Sequence, residues 1–132
     1  MRRIALIILF SRDKRVLLQH KSPDAPNSPN MWCCWGGGIE TRETPLEAAK
    51  RELQEELQAT NVALSPFIKT VDREKLIERH YFSGEIDVPV EELRIRQREG
   101  DDLGYFSLAQ MERIAVNPAH REIVVRFLTR TS

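Results

Sequence analysis

GGGIETRETPLEAAKRELQEELQA, residues 36–59, is the stretch from which the rest of the chain is read. Gly36, Gly37 and Gly38 make a loop where backbone can come very close to a neighbour, because no side chain stands in the way. Thr44, Pro45 and Glu47 then open a helix. Thr44 suits the N-cap, Pro45 the first helical position, and Glu47 lies three residues beyond the cap, as a capping box requires. At about 100° per residue, Leu46, Ala49, Leu53 and Leu57 fall on one narrow apolar stripe. Glu52, Glu55 and Glu56 fall together on the flank beside it.

Three carboxylates at i, i+3 and i+4 repel one another, so a helix gains no stability from them. A solvated acidic face is the plain explanation for such a run. A bound cation is the other, because it removes the repulsion. Hard divalent ions such as Mg²⁺ take oxygen ligands, commonly carboxylates together with phosphate oxygens of a substrate. Arg51 precedes the cluster and can hold one carboxylate in place. The glycine loop at a fixed distance upstream favours the cation.

The whole stretch resembles the signature of the Nudix hydrolases, G-x5-E-x7-R-E-U-x-E-E-x-G-U with U apolar. The matching positions are Gly37, Glu43, Arg51, Glu52, Leu53, Glu55, Glu56 and Ala59. Gln58 stands where the family has its last glycine, and Arg42 replaces a common loop glycine before Glu43. The resemblance implies hydrolysis of a nucleoside diphosphate linked to a group X. It also implies Mg²⁺, or Mn²⁺ in its place, held by Glu52, Glu55, Glu56 and the Gly37 carbonyl. By the same resemblance Glu52 is the general base, with Glu55 and Arg51 completing the catalytic group and Glu43 anchoring the loop to the helix. The segment Arg98–Leu108 is similar to one that carries a further metal ligand in MutT-type enzymes. Glu99 takes that place, with Asp101 and Asp102 as rivals.

A chain of 132 residues, with 41% apolar and 30% charged residues, is expected to form one domain spanning 1–132 with a single core. The formal net charge is zero, so nothing pulls the whole molecule toward nucleic acid or membrane. Cys33 and Cys34 are adjacent and cannot staple distant segments, which reads as reduced thiols in a cytoplasmic protein. Met1–Phe10 has the look of a signal peptide, but its apolar run is too short to span a bilayer and no small-residue cleavage site follows. IALIILF reads better as a strand buried on both faces.

Ile4–Phe10 and Arg15–Lys21 read as a hairpin. Ser22–Asn30, with three prolines and two asparagines, is a loop long enough to serve function. Met31–Trp35 is a short strand whose alternation puts Trp32 and Trp35 on opposite faces, so that one could meet substrate while the other packs inside. Val62–Val71 and Ile77–Ile86 read as strands. Leu93, Ile95 and Gln97 start another strand or an extended arm. Tyr105 and Phe106 form a short strand, Leu108–Ile114 a short helix, and Asn117-Pro118 opens a final helix to about Thr129. The expected fold is α+β, a mixed sheet flanked by helices, which agrees with the α/β/α sandwich of the resembled family. At Gln58 the helix is expected to run on and stop near Asn61, since asparagine accepts the left-handed conformation more readily.

The expected substrate is a small nucleotide, foremost a free nucleoside triphosphate, oxidised ones included, handled by a monomer or homodimer. Candidate substrate contacts are Trp32, Trp35, Gly38 and His120, the last being nearest to the place where MutT-type enzymes read the base. A nucleotide-binding module of weak activity and a hydrolase of nucleotide sugars are the alternatives, the first kept open by Gln58.

Overall fold

β1 (Arg2–Phe10) is the axis of the sheet in the computed structural model, which describes residues 1–98 and 100–130. Its two halves take different neighbours on one side. Leu9 and Phe10 pair antiparallel with β2 (Val16–His20), while Ile4–Ile7 pair antiparallel with β4 (Trp35–Gly38). On the other side β1 runs parallel to β6 (Ile77–Glu85) along its whole length. β5 (Ser65–Asp72) adds to β6 through a bulge between Pro66 and Ile68, and β3 (Trp32–Cys33) and β7 (Asp102–Phe106) both pair with β2.

The apolar run of β1 is buried on both faces, as its composition predicts. Ala5, Ile7 and Leu9 enter one core; Leu6 and Ile8 enter the other. α1 (Pro45–Leu57) closes the first core with Ala49, Leu53 and Leu57, and α4 (Pro118–Thr129) closes the second with Ile123, Val124 and Phe127. Each such leucine or isoleucine contributes roughly 1.5–3 kcal/mol by leaving water. The result is the expected mixed sheet between helical layers.

Three expectations are corrected. Gly36–Gly38 is not a loop but most of β4, because β1 offers an open edge there once β2 has diverged. Gly36 has φ +133°, and a Cβ on it would collide with the Ala5 carbonyl, so only glycine fits. Leu93, Ile95 and Gln97 belong not to a strand but to α2 (Val90–Arg96) and its end. The alternation misleads because Leu93 alone is buried and Ile95 is 86% exposed. Pro89 precedes the helix, with Glu91 and Glu92 in its first turn and Arg94 and Arg96 in its last, a charge order that suits the helix dipole.

The third correction is the end of α1. The helix stops at Leu57, and Gln58 itself is left-handed at φ 54°, ψ 36°. Its N–H reaches the Gln54 carbonyl at 3.0 Å and the Ala59 N–H reaches Leu53 at 3.3 Å, so both last-turn acceptors are satisfied. Those bonds outweigh the roughly 1 kcal/mol that a Cβ costs in this conformation. Arg42, the other replacement for a glycine, is also left-handed, at φ 70°.

Candidate active site

Thr44 caps α1 as expected. Its hydroxyl accepts from the Glu47 N–H at 3.1 Å, and the Glu47 carboxylate accepts from the Thr44 N–H at 2.9 Å. That fixes the first turn and places Arg51 one and a half turns later, against the loop. The Arg51 guanidinium grips Glu43 with two donors, at 2.8 and 3.0 Å. It also donates to Glu52 at 3.0 Å, to Glu55 at 3.3 Å and to the Gly38 carbonyl at 3.0 Å. One cation thus holds three carboxylates and the end of β4. The hydrogen bonds from Arg51 lower the Glu43 pKa, with help from the Glu40 N–H, and Glu43 in turn raises that of Arg51. Glu43, foreseen as the loop anchor, sits between Arg51 and the Glu40 N–H.

Glu52 lies against the backbone of Gly37. A Cβ there would sit 2.6 Å from its Oε1, so the missing side chain makes the cradle for the carboxylate. Burial raises the Glu52 pKa, Arg51 pulls it down, and the charge on Glu55 raises it further. Glu55 stands in the open, its side chain 57% exposed.

Glu56 departs from the expectation that all three glutamates lie outside the core. It is 2% exposed and turned into the sheet. Its Oε1 accepts from the Gly36 N–H at 3.0 Å and its Oε2 from Gln19 Nε2 at 3.2 Å. Gln19, fully buried on β2, also donates to the Cys34 carbonyl at 3.3 Å, while its Oε1 has no hydrogen-bond partner among the described residues. Sequence reading missed Gln19. Its one signal is a polar residue at an inward position of VLLQH.

Among the described residues, no three His, Cys, Asp or Glu side chains already stand together as a metal-holding group. Arg51 serves as the counter-cation of the cluster. The donors nonetheless fit a hard divalent ion: Glu52, Glu55 and Glu56 offer only carboxylate oxygens, and the bare Gly37 lets the Glu52 carboxylate meet the backbone. Glu99 lies outside the described residues. Its neighbour Arg98 is tied to α1, its N–H donating to the Glu56 carbonyl at 3.0 Å and its guanidinium reaching the suitably oriented Gln58 amide oxygen at 2.8 Å.

The aromatic candidates separate. Trp35 cannot meet substrate: it is fully buried in the α1-side core, where its indole N–H donates to the Leu17 carbonyl at 3.1 Å. Its face of β4 is the one α1 covers. Trp32 is half-buried, edge-on to His20 and Phe106. His120 is 9% exposed and accepts from the Cys34 N–H at 3.2 Å. Burial pushes its pKa down to about 3, with Arg79 and Lys21 adding to the effect, so the ring is neutral. It borders a cavity of about 340 Å³ on the α4 side of the sheet, which also touches Gly36, Gly37, Ser28 and Asn117. A second cavity of about 530 Å³, around Arg73, Glu122 and Arg126, does not reach the glycine strand. Gly38 faces open space, since a Cβ on it would touch nothing. No helix among the described residues is long and apolar enough to cross a membrane.

The NUDIX domain model matches residues 1–127. No curated protein matches. Among solved structures, a mutT/nudix family protein from Listeria innocua superposes with a TM-score of 0.77 at 22% identity, covering 97% of this chain and 92% of its own. The dihydroneopterin triphosphate pyrophosphohydrolase of E. coli gives 0.72 at 16%, covering 96% and 94%. The NUDIX domain of Shewanella oneidensis NrtR, complexed with ADP ribose, gives 0.75 at 16%, covering 95% and 84%. Identities this low speak for the fold.

Proposed function

The chain belongs to the NUDIX domain family, and from that premise we propose that it is a divalent-metal-dependent hydrolase of nucleoside diphosphate-X compounds, with free nucleoside triphosphates as the foremost substrates. The observation that carries this reading is the Arg51 clamp, which holds Glu43, Glu52 and Glu55 beside a glycine strand that borders a cavity of nucleotide size.

Mg²⁺ or Mn²⁺ held by Glu52, Glu55, Glu56 and the Gly37 carbonyl, with Glu99 as a further candidate, would neutralise phosphate oxygens and lower the pKa of water. The Glu52 carboxylate takes the proton of the attacking water, and its raised proton affinity brings it closer to the working pH. Arg51 keeps Glu52 and Glu55 facing the strand. Glu43 fixes Arg51, and the Glu40 N–H fixes Glu43 at 2.9 Å. Glu56 is held in place by the Gly36 N–H and Gln19. The nucleoside is received on the α4 side, where neutral His120 can share a hydrogen bond without carrying charge and Trp32 offers the remaining aromatic face.

Gln58 opened the reading of a nucleotide-binding module. It takes the left-handed conformation a glycine would take, so the signature's geometry is kept without the glycine, and this favours the hydrolase. The test is a screen of nucleoside triphosphates, oxidised nucleotides and nucleotide sugars with Mg²⁺, reading phosphate or pyrophosphate release. Turnover that disappears in chelator is the expected result. Binding without turnover on every substrate would favour the module instead.

A further inference from the structure

The cavity on the α4 side has walls of one charge. Arg2, Lys21, Lys75 and Arg79 line it, together with Asn27, Ser28, Asn117 and neutral His120, and no carboxylate does among the described residues. Arg79 is half-buried and makes no hydrogen bond or ion pair among the described residues. Arg2, Ile77 and Arg79 are brought together by register: Arg2 lies opposite Ile77 and Ile4 lies opposite Arg79 on parallel β1 and β6. Arg79 also borders the second cavity with Asp72, Glu74 and Glu122, but none of the three forms an ion pair with it among the described residues, and Asp72 is committed to the turn, where its carboxylate accepts from the Lys75 and Glu74 N–H groups at 3.0 and 3.1 Å.

The position of these cations matters as much as their sign. Ile4 pairs with Gly38 on one side and with Arg79 on the other. Two strand steps of about 4.8 Å therefore put the Arg79 backbone about 10 Å from the glycine strand that cradles Glu52. Arg79 stands in register with Ile4 on the α4 face, whereas Gly37, which cradles Glu52, stands in register with Ala5 on the α1 face, so these cations lie across the sheet from a pyrophosphate held at Glu52. Leaving a half-buried guanidinium without a partner is costly unless an anion arrives to meet it.

We infer that the pocket selects nucleotides with a second anionic group, a phosphate on the ribose or an acidic function on X, received by Arg79 and Lys75 about two strands from the hydrolysed linkage. This rests on the hydrolase reading for the place of the pyrophosphate, and it ranks nucleotides that carry such a second anion ahead of plain nucleoside triphosphates. A neutral His120 fits the same picture, since it adds no charge where Arg79 and Lys21 already raise the potential.

The experiment is calorimetric binding in chelator, so that no hydrolysis intervenes. Adenosine 3′,5′-bisphosphate is compared with adenosine 5′-monophosphate, and UDP-glucuronate with UDP-glucose. One charge-assisted contact predicts about tenfold tighter binding for the richer anion in at least one pair. The first pair would assign the group to the ribose, the second to X. The advantage should fall to about onefold in the Arg79→Met/Lys75→Met variant, and in wild type it should shrink as salt rises toward about 0.3 M. Equal affinities within both pairs overturn the inference, as does an advantage that is indifferent to salt or survives the double substitution in a folded protein. The wild-type salt series decides the matter if that variant does not fold. Should no nucleotide be hydrolysed with Mg²⁺ while the advantage stands, the hydrolase reading falls and the anion site remains.

Discussion

The two faces of the sheet differ in how they treat charge. Helices α1 and α4 are built alike: each starts with a capping residue followed by proline, and each covers one face of β1. Yet the α1 face gathers carboxylates and meets them with a single arginine, while the α4 face gathers cations around a cavity and meets them with neutral groups. Only the glycine strand β4 stands between. On the readings proposed above, like charges are gathered for a ligand on both sides, a hard cation on one and an anion on the other, and a side-chain-free strand brings the two within one molecule's reach.

The comparison is broken most directly at Glu52. Glu52→Gln should lower turnover by about 10²–10⁴-fold, the usual worth of a general base, with the fold retained; near-normal turnover in steady-state assays would remove Glu52 from the mechanism. Gly36→Ala attacks the partition itself. Its Cβ has no room beside Ala5, and unfolding should become easier by more than about 3 kcal/mol, read as a fall in the urea midpoint. Trp32→Ala tests the α4 side: about 1–3 kcal/mol of stacking would be lost, raising KM more than it lowers kcat. Unchanged kinetics would place the base elsewhere.

The two faces also carry opposite pH signs. Glu52 binds its proton more tightly in the folded state, so its contribution makes the protein more stable as pH falls from neutral through its raised pKa. His120, with a folded pKa of about 3, binds its proton less tightly than in the unfolded chain. Its contribution is present above about pH 6.5 and lost progressively below it, at up to about 1.4 kcal/mol per pH unit. His120→Gln should therefore flatten the acid limb of stability against pH, whereas Glu52→Gln should steepen it. The same slope in both variants would mean that neither group governs it.

The smallest effect is expected at Gln58. Replacing a left-handed glutamine with glycine should stabilise by up to about 1 kcal/mol, reduced by the lost contact with Arg98. A lower denaturation midpoint would show that the arginine contact outweighs the backbone strain.

Sequence showed the strands of β1 and β6, the cap of α1 and the start of α4, because each rests on local spacing or on a pattern of residue types; that Arg51 takes Glu43 as its main partner came only from the structure. It did not show α2, since Leu93 and Ile95 alternate like a strand while only one of them packs. Nor did it reveal that Trp35 is core, or that Glu56 is drawn inward by Gln19. Those depend on which face of the sheet a helix finally covers, and on a partner 37 positions away. The left-handed Gln58 was hidden for a related reason: the chain path after α1 is dictated by where β5 and β6 dock, and the local residue yields to it.

The parallel seam between β1 and β6 joins residues 75 positions apart at every step. Nothing along that seam can be rewarded until a long loop has closed. The β1–β2 hairpin is free to form early, but the cavity, which needs Arg2 and Ile4 beside Ile77 and Arg79, has no partial version. Folding should therefore be limited by this closure, and substitutions along the seam should slow refolding more than they speed unfolding. During synthesis, a ribosome must release most of the chain before that cavity can exist.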